Sequence, residues 1–310
     1  MSSRTYNLQM QIEQITIVGT GLIGGSFALA IKAAGFGGRI VGCDRPDVLE
    51  RALKLGAINA GEVDPVRACE GSQLVMLATP IGSIIDHIER LGPVLSPDVL
   101  ITDTGSTKVE IVARAQQVFG DAGSRRFLPG HPISGKETGG IEQAQADLFA
   151  NATWVIAPAG GASAAVRPEF TRSLHGEYMR LLESIGAQVV MISPERHDRI
   201  CAYVSHLPQM LSTALAACVA DEVGGDVARD ALSGPALRDM TRIARSPYGM
   251  WRDIAFTNTQ NLHDALLKVE QRLAHLRENL RTRGLQGEFE RAHELFLPPK
   301  AKDEFEPPKF

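Results

Sequence analysis

A histidine set among glycines is the first group in this 310-residue chain that could do chemistry. It is His131, in the stretch GHPISGKETGG at 130–140, just after the apolar pair Phe127–Leu128. A neutral imidazole, with an ordinary pKa of about 6.5, can accept a proton near pH 7. Pro132 biases His131 toward extended backbone. The glycines at 130, 135, 139 and 140 allow backbone to lie close to a ligand. Lys136 and Glu137 add one charge of each sign. Lys136 is open to three readings: solvated, paired with Glu137, or facing an anionic group.

A second constellation is ITIVGTGLIGGSFALAIKAAG, where Gly19, Gly21 and Gly24 give GxGxxG between an apolar strand and a helix. The first glycine permits a tight turn, the second lets backbone approach a pyrophosphate, and the third lets helix and strand pack closely. The N–H groups of the helix start, at Leu22 and Ile23, then face the phosphates. Asp44, about 20 residues on at the end of a second strand, is placed to accept hydrogen bonds from adenine ribose hydroxyls. That favours NAD; Arg45 beside it either pairs with the extra phosphate of NADP or is solvated. Thr79 and Pro80, in ATPIG, fall where the sheet turns over the cofactor. In TDTGSTK, Thr107 and Glu110 form a capping box, which leaves Ser106 able to face the crevice.

These residues need a scaffold. Apolar runs at 15–18, 40–43, 74–78, 100–102, 127–128, 154–157 and 189–192 read as strands. Helical patterns at 26–34, 48–55, 81–91 and 109–119 lie between the early ones. The alternation implies a parallel sheet with helices on both faces. After Ile192 the pattern is helical only. Ser193 as N-cap, with Pro194 and Glu195 after it, starts a long helix. Pro208 inside that helix predicts a bend. Further helices are expected at 226–232, 250–283 and 288–295. The fold class is therefore α/β, a Rossmann-type dinucleotide-binding domain over 12–193 followed by an all-helical domain over 194–296. The Pro- and charge-rich segment 297–310 is expected to be disordered. The apolar content of the helical half exceeds what one layer of helices hides, so a dimer interface is expected there.

Composition narrows the function classes. A formal net charge of −4 offers no basic surface to nucleic acid or acidic lipid. No apolar run is long enough to span a bilayer, and the first ten residues lack a signal-peptide core, so the expected location is the cytoplasm. Cys43, Cys69, Cys201 and Cys218 form no CxxC pair and read as buried free thiols. No His/Cys/carboxylate set has zinc spacing, so no metal is expected.

Taken together, GTGLIGGS, ATPI, TDTGSTK, GHPISGKETGG, VSHLP and TRIARSPYGMWRDI resemble the prephenate/arogenate dehydrogenase family of tyrosine biosynthesis, from about residue 14 to 295. The resemblance implies a Rossmann-type domain and a helical dimerisation domain. It implies oxidation of the ring carbinol of prephenate with NAD+, with loss of CO2 and aromatisation; arogenate as substrate and NADP+ as cofactor are the alternative. It makes His131 the catalytic base and Ser106 the group orienting the substrate hydroxyl, His131 or the nicotinamide. Arg242 becomes the ligand of a substrate carboxylate, a role for which its planar fork suits it. His206 and Ser205 line the substrate pocket, and Glu137 lies near the substrate side chain. Taken alone, Arg242 reads as a surface charge and His206 as a helix-packing residue. Trp251 is expected to pack beneath the site. The expected partners are a small-molecule substrate and a second copy of the chain. The rivals are another Rossmann-plus-helical dehydrogenase and a cofactor-binding protein without turnover.

Overall fold

The computed structural model describes residues 12–120, 123–136, 138–159 and 173–297. It divides into two compact units. The first takes in residues up to Asp198 together with Arg245–Thr257; the second takes in Arg199–Ala244 and residues from Asn258 onward.

The first unit is built on a six-stranded parallel sheet in the order β3-β2-β1-β4-β5-β6. The strands are β1 (Gln14–Val18), β2 (Arg39–Cys43), β3 (Ala60–Glu62), β4 (Leu74–Leu77), β5 (Leu100–Asp103) and β6 (Phe127–Leu128). Strand side chains alternate between faces. Ile15, Ile17, Ile40, Leu74 and Met76 therefore join one core cluster, with Phe27, Ala28 and Ile31 of α1 (Leu22–Ala33). Val18, Val41, Val75, Leu77 and Ile101 join a second cluster. That cluster also holds Ile84, Ile88 and Leu91 of α4 (Ile81–Leu91) and Ile111, Ala115 and Phe119 of α5 (Val109–Phe119). Two short helices, α2 (Pro46–Lys54) and α3 (Pro65–Ala68), fill the crossovers between β2 and β4.

One continuous parallel sheet was the expectation, and the later strands depart from it. β7 (Gly130–Pro132), β8 (Thr153–Ile156) and β9 (Gln188–Met191) form a separate three-stranded sheet, in which β7 runs antiparallel to β8. Its Trp154 and Ile156, with Tyr178 and Met179 of the helix Leu174–Ser184, extend the first core cluster. A single residue, Pro129, separates β6 from β7, so the chain turns straight from the end of the main sheet into His131.

Local corrections have local causes. α1 begins at Leu22 rather than at 26, because Gly24 and Gly25 lie inside the helix rather than in the turn. β3 was missed because its sequence, Ala-Gly-Glu, carries no apolar run. The 109–119 helix has no Thr107–Glu110 capping box: the Thr107 hydroxyl instead bonds that of Thr257 at 2.7 Å. Ser193 does cap the next helix, Pro194–Cys201, its Oγ accepting the Arg196 N–H at 3.2 Å.

In the second unit Pro208 falls in the first turn of a helix rather than inside a continuous one. The chain meets it through a π-helical turn, Ala202–His206, and continues as the helix Leu207–Val223. Leu207 N–H donates to Ala202 O, the five-residue spacing that makes room for a helical proline. The expected 226–232 helix is reduced to Arg229–Leu232, and Pro235–Thr241 is an additional helix. The expected 250–283 helix is two, Tyr248–Thr257 and Thr259–Glu278, broken at Asn258. The first of these belongs to the first unit, where Ile254 is buried and Trp251 packs against the second core cluster. The last helix is Arg283–His293, followed by a 3-10 turn, Glu294–Phe296. Of the tail 297–310, all but Leu297 lies outside the described residues. Cys43, Cys69 and Cys201 are buried as expected; Cys218, on the Leu207–Val223 helix, is exposed.

Candidate active site

The strand order reverses between β1 and β4, the position where an open α/β sheet opens a ligand crevice. Gly19 ends β1 with φ +95°, a left-handed turn that an L side chain resists. A Cβ on Gly24 would drive into the Gly19 carbonyl, so the third glycine sets the distance between α1 and β1. A Cβ on Gly21 would meet nothing within 4 Å. Gly21 is the N-cap of α1 with no side-chain cap, and Leu22 and Ile23 open the helix. Their N–H groups are among those a helix start leaves without intrahelical partners. Thr79, next to Gly19 across the crevice, has a buried hydroxyl with no protein partner. Pro80, after it, is the exposed N-cap of α4. Asp44, at the tip of β2, accepts the N–H groups of Thr20 and Arg45, each at 2.8 Å. Arg45 is exposed and stands 3.6 Å from Asp47. The open space at Gly21, the bare helix start and the orphaned Thr79 hydroxyl fit a dinucleotide.

His131 is half-buried on β7. Its Nδ1 lies 2.8 Å from Nε2 of His197, whose own Nδ1 lies 2.7 Å from Oδ1 of Asp198. His197 and Asp198 are almost fully buried. The Asp198 carboxylate accepts the Lys108 N–H at 2.7 Å on Oδ1 and the Val109 N–H at 2.9 Å on Oδ2. It thus caps α5 from a distant point of the chain, the task expected of Thr107. Lys108 is fully buried and pairs with the equally buried Asp103. Its ammonium also donates to Gly130 O at 2.6 Å, directly before His131. Asp103 accepts Gly105 N–H at 2.8 Å and Gly130 N–H at 3.2 Å. Burial pushes the Asp103 carboxyl up, against the opposing pull of Lys108 and the two N–H groups. Gly130 is small for packing rather than for a ligand, since a Cβ there would meet Asp103 O at 2.7 Å.

Ser106 lies half-buried between β5 and α5. The Lys136 ammonium donates to Gln143 O at 2.8 Å and ties its loop together. Glu137 lies outside the described residues. In the second unit His206 is buried in the π turn, and its Nδ1 is 3.2 Å from Nδ2 of Asn258. The amide donates, so the neutral ring carries its proton on Nε2. Ser205, the preceding residue, is exposed. Arg242, in the 3-10 turn Arg242–Arg245, is exposed too.

Residues 27–176 match the family model described as prephenate dehydrogenase, nucleotide-binding domain, and residues 193–296 that described as prephenate dehydrogenase, dimerization domain. The chain belongs to the prephenate dehydrogenase family. The prephenate dehydrogenase of Lactococcus lactis is 31% identical over 86% of this chain and 70% of its own length. That of Bacillus subtilis is 34% identical over 81% of this chain and 66% of its own length. A solved structure of prephenate dehydrogenase from A. aeolicus, in complex with hydroxyphenyl propionate and NAD+, superposes with a TM-score of 0.81 at 30% identity. It covers 93% of this chain and 97% of its own.

In this member of the prephenate dehydrogenase family, sequence reading missed four residues around His131: Asp103, Lys108, His197 and Asp198. Asp103 and Lys108 sit inside TDTGSTK, where nothing local distinguishes a buried pair from two solvated turn charges. His197 and Asp198 read only as the polar start of a helix, with nothing local to mark them.

Proposed function

We propose that the chain is an NAD+-dependent prephenate dehydrogenase, converting prephenate to 4-hydroxyphenylpyruvate with loss of CO2. The observation that carries this reading is His131, braced at the C-terminal side of a dinucleotide-type sheet. Bound NAD+ supplies the hydride acceptor. Leu22 and Ile23 N–H groups and the Thr79 hydroxyl would hold its phosphates and nearby groups, and Asp44 its adenine ribose. Arg45, exposed beside Asp47, is left to solvent. His131 takes the proton of the ring hydroxyl as hydride leaves the same carbon. Ser106 orients that hydroxyl. Arg242 binds a substrate carboxylate, and His206 and Ser205 contribute to the substrate pocket. As the bond to the ring carboxylate breaks, its electrons enter the ring, which becomes an aromatic phenolate as CO2 departs, and protonated His131 returns the proton to the phenolate oxygen. Aromatisation makes the step effectively irreversible.

Among the described residues no helix is long and apolar enough to cross a membrane. The enzyme is proposed to work in the cytoplasm as a homodimer, which the match to a dimerization domain supports. The test is a two-by-two assay: prephenate or arogenate, each with NAD+ or NADP+, followed by absorbance of the reduced cofactor. Turnover of prephenate with NAD+ supports the reading. Turnover confined to arogenate and NADP+ overturns both the substrate and the cofactor. His131→Asn is expected to lower kcat by about 100-fold or more while NAD+ still binds; near-normal turnover removes His131 as the base.

A further inference from the structure

His131 does not sit in isolation, and its contacts have a direction. The starting point is Asp198. Both of its carboxylate oxygens accept backbone N–H groups, from Lys108 and Val109, at the first turn of an eleven-residue helix. A carboxylate with two such donors and a helix N-terminus before it is an acceptor, and charge-assisted bonds of this kind are strong. Its 2.7 Å contact with Nδ1 of His197 therefore needs the proton on that nitrogen. A neutral imidazole with its proton on Nδ1 presents a lone pair on Nε2. That nitrogen is the one 2.8 Å from Nδ1 of His131. The proton between the two rings therefore belongs to His131 Nδ1. The rings meet at 71°, with centroids 5.1 Å apart, so one ring edge faces the other rather than stacking on it.

We propose that His197 and Asp198 are positioning residues for His131, a one-way hydrogen-bond chain that places the His131 proton on Nδ1 and so makes Nε2 the basic nitrogen. This rests on the reading of His131 as the proton acceptor. When Nε2 takes the substrate proton, His131 becomes a cation whose Nδ1–H already points along the chain toward a buried carboxylate. Nothing needs to rotate at that moment, and the ring cannot present the wrong nitrogen without reversing every bond to Asp198. The buried backbone donors of α5 resist that reversal.

The test separates polarity from mere support. In Asp198→Asn one oxygen becomes an NH2, so the side chain can no longer accept from Lys108, Val109 and His197 together, and the direction of the chain is no longer enforced. In His197→Gln the amide oxygen can accept from His131 while its NH2 donates to Asp198, so polarity survives. In His197→Leu the chain is cut but the Asp198 cap on α5 stays. The expected kcat falls by about 100-fold or more for Asp198→Asn and His197→Leu, and by about tenfold or less for His197→Gln, with the KM for prephenate little changed in all three. Nitrogen-15 NMR of the cofactor-free protein reads the His131 tautomer directly, without turnover: Nδ1–H in the wild type and in His197→Gln, and a loss of that preference in Asp198→Asn. A wild-type ring protonated on Nε2, or a His197→Gln no better than His197→Leu, overturns the proposal. If Asp198→Asn fails to fold, the His197 pair and the wild-type spectrum still decide it. A near-normal His131→Asn would instead sink the reading of His131 as base, whatever its tautomer.

Discussion

Lys108 is the residue whose loss should cost most for its size. It is fully buried, its ammonium pairs with the fully buried Asp103, and it holds the carbonyl of Gly130. Lys108→Met keeps the stem and removes the charge. It leaves Asp103 as a buried carboxylate held only by the N–H groups of Gly105 and Gly130. Breaking a buried pair in this way costs about 3–5 kcal/mol, against a total stability of about 5–15 kcal/mol for a domain. For a unit of this size that is a fall in Tm of roughly 6–20 °C. The pH dependence follows from Asp103. Burial already pushes its carboxyl up, and removing Lys108 takes away the largest opposing effect. An acid raised in the folded state binds more protons there than in the unfolded chain, so it lowers stability as pH rises. The deficit of Lys108→Met should be full at pH values above the raised folded value. It should shrink as pH falls toward the unfolded value of about 4. Asp103→Asn on top of Lys108→Met removes the stranded charge, keeps an acceptor, and should recover most of the loss. Thermal and urea melts of the wild type and both variants at two pH values measure this. A single-variant cost below about 1 kcal/mol, or a double variant no more stable than the single, would refute the reasoning.

Four further outcomes are expected. Gly24→Ala should destabilise by about 1–3 kcal/mol or more, because its Cβ meets the Gly19 backbone. Gly21→Ala should leave Tm nearly unchanged, because its Cβ enters open space, yet weaken NAD+ binding by about tenfold or more by filling the phosphate cradle; equal loss of stability in both variants counts against the cradle. Arg242→Gln should raise the KM for prephenate by about tenfold or more with kcat changed only a few-fold, and an unchanged KM in steady-state kinetics would put the carboxylate contact elsewhere. Burial pushes the Cys43 and Cys69 thiols up to about 12, whereas Cys218 is exposed. Iodoacetamide near neutral pH should therefore label Cys218 first, as read by peptide mass spectrometry, and early labelling of Cys43 in folded protein would contradict this packing.

What the sequence determined by itself is the set of features written in short-range spacing. GxGxxG after an apolar strand marked the turn at Gly19, the close approach at Gly24 and the open position at Gly21, because each glycine acts on neighbours a few residues away. Period-two apolar strands and period-3.6 helices marked the parallel sheet, since each pattern describes one element and the face it buries. The Ser193–Pro194 helix start was equally local. Tertiary structure decided the rest. It moved residues 130–132 into a second, mixed sheet, because strand pairing is chosen by partners far along the chain. It gave the cap of α5 to Asp198 rather than to Thr107, across 90 residues. It split the 250–283 helix at Asn258, whose side chain reaches His206, and sent Arg245–Thr257 to the first unit. Above all, it set His197 beside His131 across 66 residues. No periodicity carries that pairing: a hydrogen bond needs two groups within about 3 Å, and only the folded chain brings these two that close.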